Sequence, residues 1–262
     1  SKLIPIPKAI ESGAIAADDR GRAYSRFIER VTFPIHSHSG KIIGFGGRTL
    51  TRHPAKYINS PQSAFFNKSR ILYAYHIAKE FIYKRKEIIV TEGYMDVIML
   101  HQAGFNTAVA TLGTALTKDH LPMLKKGEPH VILAYDGDKA GKAAALKASI
   151  LLSQANFEGG VVLFEEGNDP ADMVELGKTG ELKQLFMHPK KLIEFVIETI
   201  ISGFDMRSPE AKQHAFNEVK AYLKTLPSLL SESYQSYAAS LLGTNERLFA
   251  IKSHANREAV SQ

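Results

Sequence analysis

Six acidic residues fall into three short groups: Glu92 and Asp96 in IIVTEGYMD, Asp136 and Asp138 in VILAYDGDKAG, and Asp169 and Asp172 in VVLFEEGNDPAD. Each group follows a run of apolar and β-branched residues, so each is expected where a strand ends and its loop begins. Carboxylates converging from three strand tips suit a hard divalent cation, Mg2+ or Mn2+, which takes oxygen ligands. Two such ions side by side activate an attacking hydroxyl and stabilise a leaving pyrophosphate. In the Asp-Gly-Asp group, Gly137 lets the backbone turn between two neighbouring carboxylates. The competing reading is structural, because aspartates at loop ends also form turns and cap helices, as Asp138 and Asp169 would ahead of their helical runs. Capping alone does not explain why all three tips are acidic.

The runs around these residues must position them. From Glu87 onward, strands over EIIVTEG, TAVATLG, VILAYDGD and GVVLFEEGND alternate with helices over MDVIMLHQAG, KDHLPMLKKG and KAGKAAALKASILLSQ. That alternation predicts an α/β fold whose parallel or mostly parallel sheet is covered by helices on both faces. Open sheets of this kind bind ligands beyond the carboxyl ends of their strands, where the acidic groups fall. Upstream, residues 31–59 combine β-rich runs with the turn HSGK and the glycines of GFGG, predicting a hairpin and a third short strand. A helix is expected at about 72–85, with Ile77, Ala78, Phe81 and Ile82 at helical spacing. After about Leu176 the pattern is helical throughout, with one stripe of Leu192, Val196 and Ile200 and another of Phe216, Val219 and Leu223, predicting a small bundle. The expected division is a basic subdomain over 1–86, an α/β domain over 87–180 and a helical subdomain over 181–262.

The 262 residues, 44% of them hydrophobic, carry a net charge of +6. Residues 1–86 hold sixteen basic and five acidic residues, a net of +11, whereas 87–262 hold seventeen basic and twenty-two acidic, a net of −5. A basic segment ahead of an acidic one fits a polyanion-binding surface leading to a cation-holding site. The absence of cysteine excludes disulfides, thiolate zinc sites and cysteine nucleophiles. No apolar run reaches the roughly 20 residues that cross a bilayer, and the first residues lack a signal peptide's apolar stretch. A cytoplasmic protein with no membrane partner is therefore expected. No GxxxxGK[ST] phosphate loop occurs, and GFGGR lies between strand-like runs, so it reads as a strand kink with Arg48 supplying the functional charge. His36 and His38, without a third ligand nearby, read as polar surface residues. Tyr73, Tyr75 and Tyr83, interleaved with Arg70, Lys84 and Arg85, fit base stacking or core packing.

The series Glu92, then Asp136 and Asp138, then Asp169 resembles the TOPRIM domain shared by bacterial primases, type IA and type II topoisomerases, OLD-type nucleases and RecR-type repair proteins. The upstream phrases narrow the resemblance. FPIHSHSGKIIGFGGRTL, KYINSP, FFNKSRILY, VTEGYMDVIMLHQAG and TLGTALT are similar to the core of the bacterial DnaG-type primases over roughly residues 24–176. The resemblance implies a TOPRIM-type, mostly parallel sheet flanked by helices, preceded by a small basic β-rich subdomain and followed by a helical bundle. It also implies a nucleotidyltransferase, a DNA-directed RNA polymerase of the primosome that builds short RNA primers from ribonucleoside triphosphates on a single-stranded DNA template during replication.

By the same resemblance, Glu92 is the lead catalytic and metal-binding acid, and Asp136 and Asp138 complete a site for Mg2+ or Mn2+. Asp96 and Asp169 are supporting carboxylates. Arg48, Lys56, Tyr57, Asn59 and Lys68 are expected to meet template, primer or incoming triphosphate in a basic cleft, and Gly113, Thr114 and Ala115 to line the nucleotide path through backbone groups. The sequence also departs from the family pattern. The usual Asp-Pro-Asp reads here Asp169-Pro170-Ala171-Asp172, so either Asp172 serves from the next position or one supporting acid is lost. The family's zinc-binding domain is absent, as zero cysteines require. The first stretch of the basic subdomain and the helicase-interacting domain are likewise expected to lie outside this chain, leaving the replicative helicase as a partner of the full-length protein. Two other functions stay open on the sequence alone. One is DNA cleavage by a topoisomerase or OLD-type nuclease, although no module bearing a tyrosine nucleophile is visible; the other is a non-catalytic module that binds single-stranded DNA.

Overall fold

The computed structural model describes residues 4–165 and 169–249. A short helix α1 (Ile6–Glu11) and a ribbon of β1 (Ile15–Ala17) and β2 (Ala23–Ser25) open the chain. Phe33 and Ile35 alternate with exposed neighbours along β3 (Arg30–His36), which turns at Gly40 into β4 (Ile42–Thr49); β5 (Tyr57–Asn59) pairs on the other edge of β4. The expected hairpin and third strand form an antiparallel sheet in the order β3-β4-β5. The pairing of β3 with β4 shifts register beside Gly44, leaving Ile43 as an extra residue. The glycines of β4 also admit side chains: Phe66 packs on Gly44, Phe27 on Gly47, and a Cβ at Gly46 would overlap the Tyr94 hydroxyl.

Helix α2 (Tyr75–Arg85) starts three residues later than the sequence suggests, because Ala74 takes a left-handed conformation at φ 63°. Tyr75, Ala78 and Ile82 form its buried stripe, which at about 100° per residue is too narrow to include Ile77, 51% exposed, or Phe81, 40% exposed.

Beyond α2 the strands and helices alternate as expected. Strands β6 (Glu87–Thr91), β7 (Ala108–Ala110), β8 (His130–Tyr135), β9 (Gly159–Leu163) and the two-residue β10 (Lys190–Lys191) form a sheet in the order β10-β9-β8-β6-β7. All pairs are parallel except β10 with β9. Between the strands run α3 (Tyr94–Gln102), α4 (Leu121–Leu124), α5 (Lys139–Gln154), α6 (Pro170–Glu175) and α7 (Thr179–Met187). Both faces of the sheet are buried, which is why its strands read as continuous apolar runs. On one face Ile88, Val90, Val131 and Leu133 pack on Ala78 and Ile82 of α2 and Ala145 and Leu152 of α5. On the other, Ile89, Ile132 and Val162 pack on Leu100 of α3, Met173 of α6 and Phe186 of α7.

The strand expected through GVVLFEEGND ends at Leu163, and residues 166–168 lie outside the described residues. Asp169 therefore opens a helix rather than standing at a strand tip. In the last third, α8 (Leu192–Ser202), α9 (Pro209–Leu223), α10 (Ser228–Ser233) and α11 (Gln235–Leu242) build the expected bundle around Val196, Val219, Leu223 and Ala238. Helix α8 also packs along α5, joining the bundle to the sheet. Among the described residues strand β10 is the one departure from the all-helical reading, and residues 250–262 lie outside them.

Candidate active site

Neighbouring parallel strands bring the first two acidic groups together. Glu92 is the first residue past β6, and Asp136 the first past β8. The Asp136 backbone N–H faces the Glu92 carboxylate. Asp138 caps α5, its Oδ1 accepting the Gly141 N–H at 2.6 Å. Between the two aspartates, Gly137 lies so close to the Phe164 carbonyl that a Cβ would overlap it. The backbone bends at Gly137 as the sequence suggested, and the Phe164 carbonyl adds a requirement of space.

The third group arrives by helix packing. Asp169 caps α6, accepting the Asp172 N–H at 2.7 Å, and α6 lies against α3. In the first turn of α3, buried Asp96 accepts the Gly93 N–H at 3.0 Å. The capping reading of Asp138 and Asp169 is therefore right. It does not compete with ligand binding, because a cap occupies only one oxygen of each carboxylate.

The electrostatics reflect crowded negative charge. Burial first, then Asp136 and Asp138, raises the Glu92 pKa above its ordinary range. Burial and the Asp169 carboxylate push Asp96 up to about 7. Asp136 is raised by burial, then by Asp169, Asp138 and Asp172. Among the described residues, none of the six acids forms an ion pair. Buried like charges without counter-charges favour a bound cation or protonation. Glu92 Oε1 is moreover buried with no hydrogen-bond partner, an oxygen left free for a ligand. The all-oxygen donor set fits a hard divalent ion. The group is open rather than closed: among the described residues, no three His, Asp or Glu side chains are drawn in closely enough to hold one ion.

A cleft of about 400 Å³ lies between the antiparallel sheet and the loop after β7, lined by Tyr57, Asn59, Gln62, Phe66, Lys68 and Gly113 among others. It gathers four of the eight residues expected on the nucleic-acid and nucleotide path. Arg48 stands next to it, its guanidinium 5.8 Å from the Tyr57 ring centroid. Lys56 precedes β5 on the exposed surface and does not line the cleft. Thr114 and Ala115 continue the loop past Gly113, whose φ of 67° suits a residue without a side chain; the Thr114 hydroxyl is buried without a partner. Asp96 and Asp169 both act on the Tyr57 hydroxyl, so cleft and carboxylates are within electrostatic reach.

Several side chains have other uses. Both ends of the Asn59 amide are engaged, by the Tyr94 hydroxyl and by the Leu112 carbonyl. His36 stacks on His76 with ring centroids 4.1 Å apart. Tyr75 is in the core, while Tyr83 is exposed beneath Lys86. Two residues escaped the sequence reading. Buried His120 faces the Lys68 carbonyl, and Tyr94 joins the two sheets; neither contact is between sequence neighbours, so no local pattern signals it.

A crystal structure of a DNA primase domain from Pseudomonas aeruginosa matches this fold with a TM-score of 0.85 at 30% identity, covering 95% of this chain and 79% of that one. The chain belongs to the DnaG-type bacterial primase family. Family models agree along its length: the N-terminal domain of the DNA primase catalytic core matches residues 1–79, the Toprim domain 86–161, and the DnaB-helicase binding domain of primase 193–247. The DNA primase of Helicobacter pylori is 50% identical over 246 residues, which are 94% of this chain and 44% of that protein; that of Campylobacter jejuni is 43% identical over 98% and 43%. The chain thus spans less than half the length of these relatives. A DnaG primase catalytic domain bound to single-stranded DNA matches with a TM-score of 0.83 at 31% identity, covering 92% of this chain and 77% of that one.

These matches bear out the primase resemblance and the TOPRIM-type fold, and they correct one expectation. The primase helicase-binding model, expected to lie outside the chain, matches within it over residues 193–247, the bundle of α8 to α11. The sequence hid this because a bundle is specified by apolar spacing, which many unrelated sequences satisfy.

Proposed function

We propose that this chain is the RNA-polymerising core of a DNA primase, a nucleotidyltransferase that joins ribonucleoside triphosphates into short RNA primers on single-stranded DNA. The observation that carries this is the gathering of Glu92, Asp96, Asp136, Asp138, Asp169 and Asp172 beside the cleft of Tyr57, Lys68 and Gly113, in a chain of the primase family. The relatives and matched domains are those of primases, which favours polymerisation over the alternatives of DNA cleavage and of a non-catalytic binding module.

The family's fold is metal-dependent, and Mg2+ or Mn2+, when bound, supplies charge stabilisation on the attacking and leaving oxygens. Glu92 and Asp136 offer oxygens from adjacent strands, and Asp138 offers the oxygen its cap leaves free. Asp169 and Asp172 approach from α6, Asp169 setting its charge against buried Asp96 and both against Asp136. Lys68, Lys56 and Arg48 supply positive charge for phosphates of template or triphosphate, and the exposed ring of Tyr57 offers a stacking face. Gly113 leaves its backbone open to the nucleotide.

In this reading residues 1–86 hold nucleic acid, 87–180 carry the chemistry, and 181–262 meet the replicative helicase, a role supported by the helicase-binding match. The protein works in the cytoplasm at the replisome; among the described residues no helix is long and apolar enough to cross a membrane. The test is incorporation of labelled ribonucleotides on single-stranded DNA with and without divalent metal. Metal-dependent, template-dependent RNA is expected. Metal-dependent nicking of supercoiled plasmid without nucleotides, together with no incorporation, would overturn the reading.

A further inference from the structure

The two halves of the proposed site come from different sheets. The carboxylates stand on the parallel sheet and its helices, whereas Tyr57 and Asn59 stand on the antiparallel one. Catalysis needs both halves in fixed register on one substrate, since a small misplacement of reacting groups forfeits much of the rate.

Tyr94 spans the gap. It opens α3 two residues past Glu92 and reaches into the antiparallel sheet. Its ring stacks on Phe33 of β3 with centroids 5.2 Å apart and 3° between planes, and Tyr73 meets it edge-on at 4.8 Å. Its hydroxyl donates to Asn59 Oδ1 on β5, and Asn59 Nδ2 donates onward to the Leu112 carbonyl at 3.0 Å, directly before Gly113. One chain of hydrogen bonds therefore ties together β5, the start of α3 and the loop after β7. Gly46 leaves the space that the Tyr94 ring requires.

We infer that Tyr94 is a positioning residue, which acts through Asn59 to hold the basic cleft in register with the carboxylate cluster. The inference rests on the proposed function. Packing alone does not require the hydroxyl, because a phenylalanine ring would fill the same space. Asn59 is then a strut between Tyr94 and Leu112, and its amide is not free to read the substrate.

The test is Tyr94→Phe in this chain, followed by Asn59→Ala and the double variant. Tyr94→Phe keeps the ring contacts and removes one donor. Its affinity for single-stranded DNA and its KM for nucleotide are expected to stay within about twofold, while kcat falls roughly tenfold or more. The double variant is expected to be no slower than the slower single variant, because both break one connection. A Tyr94→Phe variant with wild-type kcat would overturn the inference, as would a double variant whose losses multiply. If the unaltered chain incorporates no nucleotide, the functional reading fails first; if it does and Tyr94→Phe matches it, only the positioning role fails.

Discussion

The Phe164 carbonyl rests directly against Gly137, leaving no space for a Cβ between the second acidic group and the segment that leads to the third. The contact seats the loop of Asp136 and Asp138 against the residue that follows β9.

Gly137→Ala is therefore expected to force the two backbones apart. Overpacking of this kind costs about 1–3 kcal/mol, readable by urea denaturation. The loss of activity should be larger than the loss of folded protein, because the carboxylates separate. A variant with normal stability and normal Mg2+ dependence of primer synthesis would show that the contact does not set the cluster.

Glu92→Gln keeps shape and removes the charge whose Oε1 lacks a partner. Primer synthesis should be abolished while single-stranded DNA binding, carried by Lys68, Lys56 and Arg48, survives. Asp138→Asn should behave alike without unfolding, because asparagine caps α5 about as well as aspartate. Normal polymerisation by either variant would sink the metal assignment.

Asp96 titrates near 7 in the folded chain, against 3.8 for an unhindered aspartate. The folded state therefore holds its proton more tightly than the unfolded state, and metal-free stability should fall as pH rises from about 4 to about 7. At about 1.4 kcal/mol per pH unit, this contribution is at most roughly 4 kcal/mol. Asp96→Asn should remove it. Urea denaturation in chelator at pH 5 and pH 8 measures the slope, and an unchanged slope in the variant would assign it elsewhere.

His120 is fully buried, with Nδ1 accepting the Thr117 N–H at 3.1 Å and Nε2 facing the Lys68 carbonyl at 3.2 Å. Burial lowers its pKa, so its stabilising contribution is present above the unfolded value near 6.5 and is lost as pH falls through the lower folded value. His120→Leu leaves both backbone groups without this partner, an expected loss of about 1–3 kcal/mol at pH 8. The difference between variant and wild type should shrink in acid. A difference independent of pH would mean that His120 acts by packing alone.

Some features were legible because they are local. The alternation of EIIVT, AVA, HVILAY and GGVVL with helical runs reflects strands buried on both faces, and that pattern survives in composition alone. The first two acidic groups were visible for the same reason, since a strand's end and its next residue are neighbours in the chain. The limits of the α2 stripe were not, because Ile77 and Phe81 are apolar whether or not anything covers them.

The sequence by itself determined the α/β order, the metal-type acids, the basic leading segment and the likeness to primases, all carried by residue identity and short spacing. Tertiary structure decided that Asp169 enters from a helix rather than a strand, that Gly46 makes room for Tyr94 and Gly137 for the Phe164 carbonyl, and that Asn59 is held by Tyr94 and Leu112. Those outcomes depend on contacts between residues 27 or more positions apart, fixed only when the two sheets and helices α3 and α6 pack together.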